Sequence, residues 1–85
     1  MIIGKVVSRV ISTRKYQELQ GYKFLVIKPC YGEGDYIVAA DDIGAGEGEL
    51  VLVSKGSAVQ HALSKNAPID AIVVGIVDQA PTMEK

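Results

Sequence analysis

The sequence predicts a mainly β fold, a small barrel of five strands with one short α-helix. Three observations point there. The apolar residues fall in short runs rich in Val and Ile, each bounded by Gly, Asp, Ser or Pro, which is the pattern of strands rather than helices. Five such runs occur in 85 residues, and only one stretch has helical character. One helix cannot cover an open sheet, and closing the sheet on itself removes its edges.

The first strand is expected over residues 2–12, with Gly4 permitting a bend. Residues 13–21 are polar and read as a loop. The second strand covers residues 22–28, stopped by Pro29, and residues 31–35 form a turn rich in glycine. The third strand covers residues 36–41. A glycine-rich loop follows over residues 43–49, and the fourth strand covers residues 50–53. Ser57 with Gln60 three positions on has the capping-box pattern of a helix start, and Asn66-Ala67-Pro68 ends that helix. The last strand covers residues 71–78. One domain over residues 1–79 and a flexible polar tail over 80–85 complete the expectation.

A free-standing antiparallel barrel alternates apolar-in with polar-out. Here Leu50-Val51-Leu52-Val53 and Ile72-Val73-Val74 are apolar at both parities. Both faces call for burial, and a second copy of the chain is the available cover. Val51, Val53, Val74 and Ile76 are therefore the candidate subunit-interface residues. Chain length argues the same way. A domain this small buries only about 60% of the surface of its unfolded chain, and its one cysteine, Cys30, allows no internal disulfide.

Composition narrows the function. The formal charge is −1, so neither a polyanion nor a membrane surface is the expected partner. Lys5 and Arg9 interrupt the N-terminal apolar run, so a signal peptide is not expected. A lone thiol fits a reducing compartment. Cys30 and His61 are the only soft ligands, too few for a metal site, and no cofactor motif is present.

The residues with chemical potential have plainer readings beside the sharper ones. Gly44-Ala45-Gly46-Glu47-Gly48 resembles a phosphate cradle only superficially, since it lacks a lysine, carries Glu47 and leads into a strand. A tight loop that allows close backbone approach, as symmetry-related loops around a ring axis would need, fits better. Asp41 and Asp42 are adjacent, and adjacent strand residues point to opposite faces, so they are expected as turn and cap carboxylates rather than as a catalytic pair. Ser12, Thr13 and Arg14 form a second polar candidate, an anion-binding loop or a solvated one. Phe24 and the tyrosines at 16, 22, 31 and 36 lie among lysines, a faint version of the stacking platform of single-strand binders.

The order of these pieces resembles the EutN/CcmL family, the pentameric vertex proteins of bacterial microcompartment shells. The resemblance runs through Ser12-Thr13, the strand Phe24-Leu25-Val26-Ile27, and above all the block from Val38 through Asp41-Asp42-Ile43-Gly44-Ala45-Gly46-Glu47-Gly48-Glu49 to Leu52. It closes with Gly56-Ser57-Ala58 and the strand from Ile69 to Asp78. The family's second serine and following arginine are absent after Ser57. The resemblance implies an OB-like barrel assembled as a homopentameric ring that caps the vertices of a shell in the bacterial cytoplasm. It implies hexameric shell proteins as partners, no enzymatic activity, no cofactor, no metal, no nucleic acid and no membrane. It also implies a narrow axial pore, for which residues 44–48 are the first candidates and Ser12, Thr13 and Arg14 the second. A single-strand-binding OB module and a co-chaperonin-like ring subunit are the alternatives.

Overall fold

The computed structural model describes residues 1–12, 15–31, 34–63, 67–79 and 81. Five strands form: β1 (Ile2–Val10), β2 (Lys23–Pro29), β3 (Ile37–Asp41), β4 (Leu50–Lys55) and β5 (Ala71–Val77). They close into a barrel in the order β1-β2-β3-β5-β4, with every neighbouring pair antiparallel except β3–β5. Pro29 ends β2, where its missing N–H costs the ladder least.

The interior is made by alternate residues, as the pleat requires. Val6, Leu25, Ile27, Ala39, Val51, Val53, Ala71 and Val73 form one buried cluster. Gly4 belongs to this lining, because a Cβ there would overlap Ile27 Cγ2 and press on the Lys28 carbonyl. A second cluster lies on the outside of β3 and β5, where Val59, Ala67 and Ile69 cover Ala40 and Ile72.

Two expectations change. The helix after Ser57 is a 3-10 helix (Ser57–Ala62), not an α-helix. Its N-cap is Gly56, and no side chain caps it. Gln60 is drawn away from any capping box, because its Nε2 donates to the carbonyls of Ala67 and Ile69, each at 2.9 Å. The expected loop before β2 also contains a short 3-10 helix (Gln17–Leu19). The second change concerns the apolar strands. Val51 and Val53 are fully buried in the chain's own core, so the interface expectation does not hold for them. The two-sided pattern has two separate causes. Leu50 and Leu52 face outward and are half-buried, whereas Ile72 is covered by the segment around Val59.

No helix among the described residues is long and apolar enough to cross a membrane. Of the tail, the structure describes Pro81, whose carbonyl accepts a hydrogen bond from Tyr31 Oη at 3.3 Å. The rest of the expected tail lies outside the described residues.

Candidate functional site

The glycine-rich loop lies over one end of the barrel and is held from below by one carboxylate. Asp41 ends β3 on the inward parity and is 2% exposed. Its Oδ1 accepts from the Ile43 N–H at 3.1 Å, and its Oδ2 accepts from Gly44 at 3.2 Å and Ala45 at 2.9 Å. Lys23, opposite Asp41 in the β2–β3 register, places Nζ 3.6 Å from Oδ2 and donates to the Ala45 carbonyl at 2.9 Å. The inward charge is thus paired and hydrogen-bonded, the condition under which a buried charge is tolerated.

The far half of the loop is fastened to β1. Gly48 donates to the Val6 carbonyl at 2.8 Å, and the Val6 N–H donates to the Glu49 carbonyl at 3.0 Å. Gly46 donates to Glu49 Oε1 at 2.7 Å. Gly44 and Gly48 have φ of 105° and 87°, conformations that glycine adopts without steric cost. The N–H groups of Ile43, Gly44, Ala45, Gly46 and Gly48 all have acceptors within the chain, so the loop does not present the free donors of a phosphate cradle.

The candidate residues of this loop therefore separate. Ala45 is fully buried and packs in the barrel core, so its methyl closes the barrel end rather than facing outward. Gly44, Glu47 and Gly48 are exposed and Gly46 is half-buried. With Arg9, Lys23 and Leu25, residues Ala45, Gly46 and Glu47 line a recess of about 130 Å³ at the barrel mouth. Ser12 is exposed, and Thr13 and Arg14 lie outside the described residues.

Reading along the sequence did not single out Lys23, Arg9 or the Gln60 staple. Strand parity carries the signal for Lys23. It lies two residues before Leu25 and four before Ile27, so a lysine occupies the inward parity opposite an inward aspartate.

The remaining candidates are dispersed. Cys30 and His61 are exposed, and among the described residues no three His, Cys, Asp or Glu side chains converge to hold a metal. The aromatics do not form a stacking platform. Tyr22 is in the second cluster, Lys15 Nζ lies 5.6 Å from the Phe24 ring centroid, and Lys28 Nζ lies 5.1 Å from that of Tyr36. What the outside offers instead is apolar surface. Val10, Tyr36, Val38, Val74 and Ile76 are each more than a third exposed.

Comparison with known proteins agrees with this picture of a small closed five-stranded barrel. The carboxysome shell vertex protein CcmL of Thermosynechococcus vestitus is 48% identical over 83 residues, spanning 92% of this chain and 84% of that one. The bacterial microcompartment shell vertex protein GrpN of Rhodospirillum rubrum is 42% identical over 88 residues, spanning 98% and 99%. The solved GrpN structure, a pentameric microcompartment shell protein, superposes with a TM-score of 0.85 over 98% of this chain and 100% of that one. The structure of CcmL from Nostoc sp. PCC 7120 superposes with a TM-score of 0.84 at 41% identity, over 94% and 92%. The family profile described as ethanolamine utilisation protein EutN/carboxysome matches residues 1–78, and the chain belongs to this EutN/CcmL family.

Proposed function

We infer that this chain is the subunit of a pentameric ring that occupies the vertices of a bacterial microcompartment shell. Its near-complete superposition on a pentameric shell protein at 41% identity carries this reading. The chemistry of the chain supports it. The charged pair at the barrel mouth is spent on holding a loop, and several large apolar side chains are left exposed where another subunit can cover them.

The role is geometric. A layer of hexagonal units is flat, and five-fold units at its corners give the curvature that closes it. We propose hexameric shell proteins as the lateral partners of the ring. We place Gly44, Gly46, Glu47 and Gly48 nearest its axis, where residues with little or no side chain let five loops approach. Ser12, Thr13 and Arg14 remain the second candidates for that lining. Ala45 has no place in it, being committed to the core.

The test is assembly. Co-expression with hexamer-forming shell proteins of the same bacterium, read by electron microscopy, should give closed polyhedra with this protein present and elongated or open particles without it. Closed polyhedra of unchanged shape in its absence would remove the vertex role.

A further inference from the structure

We propose that the recess at the barrel mouth binds a small oxyanion, a carboxylate or inorganic phosphate, with Arg9 as its anchor and Lys23 as its second cation. The site is built within one chain and does not rest on the ring reading above. It begins with an irregularity in β1. Val6 pairs with Ile27 and Ser8 with Val26, so Val7 is an extra residue in the ladder, a β-bulge. Val6 is buried in the core, and strict alternation from it would send Ser8 inward and Arg9 outward. The bulge reverses that. Arg9 stands opposite Leu25, which is 2% exposed, and residues directly opposite in an antiparallel pair share one side of the sheet. Bulges at barrel rims re-aim side chains, and this one turns a guanidinium over the mouth.

Lys23 reaches the same place from β2. It lies two residues before Leu25 and opposite the inward Asp41. Arg9 and Lys23 are thus diagonal neighbours across β1–β2, about 7–8 Å apart along the sheet, a gap that long side chains bridge. Both line the recess, with buried Leu25 and Ala45 beneath them and Gly46 and Glu47 on its other side. The chain does not use up these two cations. Among the described residues Lys23 pairs with Asp41, and Arg9 has no ion-pair partner. A guanidinium carries five N–H donors in a fork that matches two oxygens of one anion. The Lys23 ammonium has three donors. One goes to the Ala45 carbonyl, and the ion pair with Asp41 takes at most one more. At least one is left, on a side chain that is 37% exposed.

Asp41 does not cancel this charge at the recess, because its two oxygens are occupied by backbone N–H groups beneath the loop. The opposing group is Glu47, an exposed carboxylate in the lining that competes with the ligand for Arg9. The class of ligand follows from the donors and the room. The recess holds about 130 Å³, well below the roughly 300–1,000 Å³ of pockets for drug-sized ligands, so the anion has only a few heavy atoms. Acetate and phosphate each offer two oxygens to the fork, whereas chloride offers a single centre. The loop's backbone donors already have acceptors, so recognition belongs to the side chains of Arg9 and Lys23. That separates the site from a phosphate cradle.

The test is a titration of the full chain at constant ionic strength with sodium phosphate, sodium acetate and sodium chloride. It is read by NMR at the Arg9 Nε–H and at the amides of Ala45 and Gly46. Phosphate or acetate should give saturable shifts there, and the salt that saturates at the lower concentration names the ligand. Chloride should give shifts that do not saturate. Arg9→Ala, read at the loop amides, should raise the half-saturation concentration about tenfold or more. Arg9→Lys keeps the charge and loses the fork, and should raise it as well. Glu47→Gln removes the competing carboxylate and should lower it. Arg9 is exposed, so its variants should keep the circular dichroism of the unchanged protein. If Arg9→Ala does not fold, Arg9→Lys and Glu47→Gln carry the test. Equal shifts without saturation in all three salts overturn the proposal. So does unchanged binding in the Arg9 variants, or a Glu47→Gln variant that binds no tighter. Dissociation of the assembled protein by Arg9→Ala in native mass spectrometry also overturns it, because the guanidinium would then belong to a contact between copies.

Discussion

Asp41 shows how much of this loop depends on one side chain. Its carboxylate takes three backbone donors that would otherwise need water at the crowded barrel end. Each such charge-assisted bond contributes about 1.5–3 kcal/mol, and some of the donors can be rehydrated once the carboxylate is gone. Asp41→Ala is therefore expected to cost about 3 kcal/mol, a fall of roughly 12–24 °C in Tm for a chain of this length. Lys23→Met should cost less, about 1 kcal/mol, because the lysine side chain is 37% exposed and its attraction to Asp41 is screened. Thermal melts of both variants check the ranking, and equal losses would mean that the ion pair rather than the backbone bonds carries the loop.

At the scale of the element, the second 3-10 helix (Ser57–Ala62) is held less by its own sequence than by what it reaches. It has no capping side chain, and Val59 is its buried residue. Gln60 spans the gap to Ala67 and Ile69 and so fastens the chain that covers Ile72. Gln60→Ala should leave the barrel intact while amide exchange at residues 67–70 accelerates at least tenfold, since two carbonyls lose their donor. Unchanged exchange there would show that packing of Val59 and Ile69 suffices. The same element marks where sequence reading falls short. The five strands were legible to within two residues at every end, because β-branched runs between Gly, Asp and Pro have few other solutions. The type of helix was not legible, because Ser57 and Gln60 have capping-box spacing whether or not the side chains engage. Which apolar strand residues face in was not legible either, because Leu50 to Val53 are all aliphatic and only the register with Gly4 and Val73 assigns Val51 and Val53 to the interior. Gly4 itself was read as a bend, and its role is to admit Ile27. The glycine loop was legible as a place of close approach, but Ala45 within it turned inward, held by two carboxylate-bonded neighbours and its own N–H.

At the scale of the molecule, stability and assembly are one quantity. A chain of 85 residues leaves Val10, Tyr36, Val38, Val74 and Ile76 in water when alone, and subunits that cover them add free energy to the folded state by mass action. The Tm should therefore rise with protein concentration. Differential scanning calorimetry over a hundredfold range of concentration reads this directly. A Tm that does not move across the range would mean that the lone barrel is self-sufficient.

The barrel closes through one ladder pair, Ala40 beside Ile72, and that pair is parallel. The hairpin-like pairings β1–β2, β2–β3 and β4–β5 can form from neighbouring or near-neighbouring segments, whereas β1–β4 must bring residue 2 to residue 53 and β3–β5 residue 40 to residue 72, each bearing loop-closure entropy, and of these two β3–β5 has the single rung to repay it. Closure is thus expected late on the folding route. Ala40→Gly should speed unfolding in stopped-flow measurements and leave the refolding rate nearly unchanged, and an equal slowing of refolding would place the pair in the transition state. A wall of a sealed compartment must outlast the reactions it encloses, and the lifetime of each subunit in that wall is then set by how seldom two strands part at a single rung.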